Sequence, residues 1–152
     1  MEKTLIIGIG SILRGDDGVG TRVIDELEKK PLPQGVSLER GDLSGLNLLK
    51  YLPDFERMII IDAVDMKEKA GTIKAFKTSE IKEAGFNNTL STHGMTLLET
   101  LALAEGLNIS SGIIIVGIQP KDTSFSLELS DIIKQKIPFI ANKVKEFISN
   151  DA

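Results

Sequence analysis

Three short runs of apolar, mostly β-branched residues set the pattern of this chain: Thr4 to Gly10 (TLIIGIG), Met58 to Val64 (MIIIDAV) and Gly112 to Ile118 (GIIIVGI). A run this short and this continuously apolar, bounded by glycine or an acid, reads as a strand buried on both faces, the situation of a parallel strand covered by helices. Between the runs the period changes. Val19, Val23, Ile24 and Leu27 recur at helical spacing until Pro31 and Pro33 stop the helix. Thr96 to Leu107 reads as an apolar helix, and Leu129 to Ile148 as a terminal amphipathic helix with Ser130 placed to cap it. Val36 to Asp42 and Gly71 to Phe76 alternate apolar with polar residues, like strands with one exposed side, and Leu46 to Leu52 suggests a short helix closed by Pro53. Glu80 to Asn88 has no clear period and is expected to be a mobile connection. Strands alternating with helices predict an α/β fold, a three-layer sandwich in which a mostly parallel, twisted sheet carries helices on both faces.

With 152 residues and no internal repeat, low-complexity tract or linker, the chain is expected to form a single domain over 1–152. A net charge of -4 argues against nucleic acid as a partner, and no apolar run is long enough to suggest a membrane span. Zero cysteine removes disulfides, thiolate nucleophiles and thiolate metal sites, and fits a cytoplasmic protein. The apolar run after Met1-Glu2-Lys3 is too short for a secretory h-region and has no small-residue cleavage site after it.

The chemistry therefore has few places to live. Asp17, Asp62 and His93, the last being the only histidine, each fall where a predicted strand gives way to a loop or helix, and strand ends are where α/β proteins build their sites. Asp62 interrupts Ile59-Ile60-Ile61, and burying it there is costly unless hydrogen bonds or a cation compensate. Asp65, just beyond, is expected to face solvent. Asp16 and Asp17 stand together before Gly18; capping of a helix start accounts for one of them, not readily for both. Two oxygens and one imidazole nitrogen make a set suited to zinc, nickel or a similar divalent ion with positions left open, and a set this sparse hints that the metal arrives with another molecule.

Rival motifs fare worse. Gly8-Ile9-Gly10 lacks the third glycine of a dinucleotide fingerprint, where Leu13 stands. Gly10 to Gly15 has phosphate-loop spacing, but Asp16 and Asp17 occupy the positions of the lysine and hydroxyl and would repel a phosphate. No G-x-S-x-G elbow is present, and H-E-x-x-H needs a second histidine.

Read in order, Gly8-Ile9-Gly10-Ser11-Ile12-Leu13-Arg14-Gly15-Asp16-Asp17-Gly18-Val19-Gly20, Ile60-Ile61-Asp62-Ala63 and Ser91-Thr92-His93 resemble a hydrogenase maturation endopeptidase. Gly41-Asp42-Leu43-Ser44-Gly45, Val116-Gly117-Ile118-Gln119-Pro120 and Leu129-Ser130 extend the resemblance over nearly the whole chain. The resemblance implies a phosphorylase/hydrolase-like fold and a protease, of aspartic or metal-dependent type, that removes a short C-terminal peptide from the precursor of a nickel-iron hydrogenase large subunit after nickel insertion. It further implies that Asp17, Asp62 and His93 contact nickel supplied by the precursor, whose thiolates complete the coordination, so that no tightly bound metal of the protein's own is expected. Gly41, Asp42, Ser44 and Gly45 are expected to help bind the precursor's tail. Ser11 stands where the family commonly has asparagine, and Asp17 where some members have the longer glutamate, which shortens the reach to a metal. The same three ligands also suit a non-catalytic nickel-sensing chaperone of the precursor, or a self-contained metallopeptidase.

Overall fold

The three apolar runs become the inner strands of one five-stranded sheet. The computed structural model describes residues 2–41, 51, 54–80, 106 and 112–150. Its elements are β1 (Thr4–Gly8), α1 (Val19–Leu27), β2 (Val36–Arg40), β3 (Arg57–Ala63), β4 (Ile73–Lys77), β5 (Ile113–Ile118) and α2 (Asp131–Asn150). The strand order is β2-β1-β3-β5-β4. β1 pairs in parallel with β2 and β3, β3 with β5, and only β4 runs antiparallel, against β5. The mostly parallel sheet is thus as expected, and the two segments of alternating polarity, β2 and β4, are its edges.

Both described helices lie on one face. Ile6 of β1, Ile59 and Ile61 of β3, and Val116 and Ile118 of β5 meet Val23, Ile24 and Leu27 of α1 and Ile133, Ile140 and Val144 of α2. Each such side chain taken out of water contributes about 1.5–3 kcal/mol, which is why the apolar stripe of α1 matches the periodicity so closely. The alternate residues Leu5, Ile7, Met58, Ile60, Ile113 and Ile115 form a second core on the opposite face, where Tyr51, Phe55 and Phe76 pack. Burial on both faces is what continuous apolarity in the strands requires. The helices expected over Leu46–Leu52 and Thr96–Leu107 lie outside the described residues, apart from Tyr51 and Gly106, as does most of Glu80–Asn88.

Glycines let α1 lie directly on the sheet. A Cβ on Gly8 would stand 2.2 Å from the Gly20 carbonyl oxygen, and one on Gly20 would stand 2.3 Å from that of Ile61. Gly8 thus serves helix packing rather than a nucleotide. α2 starts at Asp131, two residues later than its apolar period suggests. The Ser130 carbonyl accepts the first helical bond from the Lys134 N–H at 2.9 Å, while the Ser130 hydroxyl is committed to Asp16. Pro138 lies inside α2 on its exposed side, so it removes the hydrogen bond to the Lys134 carbonyl without putting its ring into the core.

Candidate active site

The strand order places a crevice where parallel sheets hold ligands. β1 leads through α1 to β2 on one side, while β3 lies on the other, so the chain reverses its winding direction between β1 and β3. The carboxyl ends of strands at such a switch point splay their following loops apart. Asp62 is the penultimate residue of β3. Asp17 follows β1, in a 3-10 turn from Gly15 to Gly18.

The two carboxylates are brought together across this crevice. Ile9 still pairs with β3, its N–H donating to the Ile61 carbonyl at 3.0 Å. Gly10 then turns the chain away with a φ of +123°, and a Cβ there would stand 2.0 Å from the Asp17 carbonyl oxygen and 3.6 Å from Asp62 Oδ1. Only glycine fits this wedge. Asp17 is 8% exposed and accepts the Ser11 N–H on Oδ2 at 2.8 Å. Asp62 is 1% exposed and accepts the Ala63 N–H on Oδ1 at 2.8 Å. Burial, reinforced by the negative charge of Asp17, pushes the Asp62 carboxyl well above the ordinary carboxylate range, against the opposing pull of that one hydrogen bond.

Above the pair lies a cleft of about 400 Å³ whose lining includes Arg14, Asp17, Ala63, Asp65, Gln119 and Lys121. Asp65 is exposed, as expected, and its carboxyl is held below the usual range by the Lys67 N–H and the Gln119 side chain. Gln119 braces this side of the cleft: its Oε1 accepts the N–H groups of Met66 at 2.7 Å and Glu68 at 3.2 Å, and its Nε2 donates to Asp65 at 3.2 Å. Gly41 lies just past β2, at the carboxyl end of the strand beside β1. Its N–H donates to the Gly8 carbonyl at 2.9 Å, and its α-carbon packs on Ile7 and Ile9. His93, Asp42, Ser44 and Gly45 lie outside the described residues, so the described part of the expected ligand set is the pair Asp17 and Asp62.

Asp16 is a residue whose task the sequence reading did not find. Helix capping accounts for one of the two aspartates in the sequence, but no side chain caps the start of α1. Asp16 is fully buried and turns the other way. It accepts the Ser130 N–H on Oδ1 at 2.7 Å and, on Oδ2, the Lys121 N–H at 2.9 Å, the Asp122 N–H at 3.0 Å and the Ser130 hydroxyl at 2.8 Å. Of two adjacent acids, one faces the cleft and the other ties down its far wall.

Residues 21–146 match the hydrogenase maturation protease family. The chain belongs to that family. The matched span contains Asp62 and begins after Asp17. Among relatives, the hydrogenase expression/formation protein HupD of Bradyrhizobium diazoefficiens is 30% identical over 123 residues, covering 80% of this chain and 64% of HupD. This chain therefore spans under two thirds of that relative. The hydrogenase 2 maturation protease of Escherichia coli is 29% identical over 138 residues, covering 89% of this chain and 84% of the relative. The structure of the hydrogenase maturating endopeptidase HybD from Escherichia coli superposes with a TM-score of 0.80 at 25% identity, over 93% of this chain and 89% of HybD. The α/β architecture is that of the family.

Proposed function

We propose that this chain is an endopeptidase that removes a short C-terminal peptide from the nickel-loaded precursor of a nickel-iron hydrogenase large subunit. The observation that carries this reading is the burial of Asp62 beside a second carboxylate, Asp17, at the switch point of a sheet shared with a family of maturation proteases. Two buried acids repel each other unless a proton or a cation stands with them. The pair is therefore suited to a divalent ion, and in this reading the ion is the precursor's nickel, part of the substrate. His93 is the third protein ligand, the precursor's thiolates complete the set, and no metal is held tightly between substrates.

Docking on the nickel holds the scissile bond beside the carboxylates. The oxygen of a water attacks the scissile carbonyl carbon as one carboxylate takes the water's proton. The tetrahedral intermediate then collapses with cleavage of the C–N bond, and the leaving nitrogen takes up the proton. Placing the bond at the site lowers the barrier by making the attack effectively unimolecular. Gly41, followed by Asp42, Ser44 and Gly45, guides the tail along the rim, and the reaction takes place in the cytoplasm.

Asp17→Asn, Asp62→Asn and His93→Ala, each checked for intact secondary structure by circular dichroism, should lower the rate of precursor shortening at least ~100-fold. Full activity in either aspartate variant contradicts the proposal. Metal analysis of the purified protein should find no stoichiometric zinc; a tightly held zinc with cleavage of unrelated peptides would identify a self-contained metallopeptidase instead.

A further inference from the structure

The segment from Lys121 to Ser130 adds no strand to the sheet, yet it is tied down at both ends and in its middle. Asp16 holds the ends, through Lys121 and Asp122 on one side and Ser130 on the other. In the middle, the Gly15 N–H donates to the Ser126 carbonyl and the Ser126 N–H to the Leu13 carbonyl, both at 2.9 Å, a one-residue parallel bridge to the loop that carries Asp17. Ser124 donates to Asp122, and Ser126 Oγ accepts the Glu128 N–H at 3.1 Å. Among the exposed residues of this segment, beside Lys121, Asp122, Ser124 and Glu128, two are large and apolar. Phe125 is 81% exposed and Leu127 61%, on either side of the bridged Ser126, with Ile12 and Leu13 exposed on the facing loop.

Single exposed apolar residues are ordinary. A backbone fixed by a buried carboxylate, with Phe125 and Leu127 exposed on it and Ile12 and Leu13 exposed on the loop bridged to it, has the form of a docking surface. Because the segment is already ordered, little conformational entropy is lost when a partner covers it. The surface is continuous with the cleft: Lys121 and Thr123 line that cleft, as does Arg14, the residue bridged to Ser126. A cleft of about 400 Å³ holds only a short stretch of peptide, so the body of a protein whose peptide enters it comes to rest on this rim.

We infer that the rim formed by Ile12, Leu13, Phe125 and Leu127 docks an apolar surface of the folded precursor beside its scissile segment. This rests on the processing function proposed above and separates two tasks: the rim adds affinity for the body of the precursor, while Asp17 and Asp62 hold its nickel and act on the scissile bond.

The test is steady-state processing of nickel-loaded precursor by the wild-type protein, by F125S/L127S and by the single variant F125S. Both side chains face water, so thermal stability should not change. The double variant should raise KM at least tenfold and leave kcat within twofold, with F125S intermediate; an unchanged KM overturns the inference. Binding of precursor to the D62N variant, with and without F125S/L127S, is measured in parallel. If wild-type protein binds precursor without cutting it and the rim substitutions weaken that binding tenfold, the docking surface stands and the processing function falls. If sedimentation shows a wild-type dimer that F125S/L127S converts to monomer, the rim belongs to a second copy of this chain, and the inference is wrong.

Discussion

Asp16, Asp17 and Asp62 are chemically alike and differ in their partners. Among the described residues Asp16 accepts four hydrogen bonds, and Asp17 and Asp62 one each. Because burial and Asp17 raise the Asp62 pKa, the folded protein binds that proton more tightly than the unfolded chain does. The resulting stabilisation is full below the ordinary carboxylate value of 3.8 and is lost as pH rises through the raised folded value, so a carboxyl buried at this position costs the fold more as pH rises above 3.8. Asp62→Asn keeps the acceptor for the Ala63 N–H and removes the charge. It should raise the Tm at pH 8, by about 2–4 °C per kcal/mol recovered in a chain of this size, with the gain shrinking toward pH 4. A lower Tm at pH 8 in scanning calorimetry contradicts this account of Asp62. Asp16→Asn should act in the opposite direction, because its amide must turn a donor toward at least one of four donors; urea denaturation should show a loss of about 2–4 kcal/mol. The sequence pointed to Asp17 and Asp62 because each falls at the end of a strand or just beyond it. It could not reveal the task of Asp16, whose hydrogen-bond partners lie 105, 106 and 114 positions away. No local pattern carries such a contact.

At the level of elements, the apolar periods gave α1 its start, though it ends at Leu27, before the prolines expected to stop it, and gave the inner strands to within two residues, because burial on both faces leaves no freedom in which residues are apolar. Alternation in β2 and β4 marked them as edges but said nothing about direction: an edge strand has the same polarity pattern whether it runs with its neighbour or, as β4 does, against it. Pro138 was passed over for a related reason, since a proline on the exposed side leaves the apolar stripe of α2 intact. The close approach of α1 to the sheet gives a prediction of its own. Gly20→Ala puts a methyl group 2.3 Å from the Ile61 carbonyl oxygen, and backbone on both sides of the contact has no room to yield. Overpacking of this kind typically costs about 1–3 kcal/mol, and a rigid backbone contact belongs at the upper end. Denaturant titration showing wild-type stability in Gly20→Ala would mean that α1 does not sit where it is described.

For the molecule as a whole, the order β2-β1-β3-β5-β4 places the site more firmly than any motif does. The reversal of winding between β1 and β3 opens the crevice, Gly10 brings the Asp17 loop across it, and Asp62 closes its floor from the end of β3. The sequence announced the parallel sheet and the residues at its strand ends. It did not give the order of strands, which is set by crossover packing over long separations. In the proposed function this architecture has one consequence above others: a pair of neighbouring buried carboxylates, which repel each other when both are ionised, receives a cation that the substrate brings. The most direct measurement is the intact mass of a hydrogenase large-subunit precursor after incubation with this protein, nickel-loaded against nickel-free. The account predicts loss of a C-terminal peptide from the loaded precursor alone. Equal cleavage of both forms, or no change of mass in a loaded precursor that another maturation protease does shorten, contradicts it.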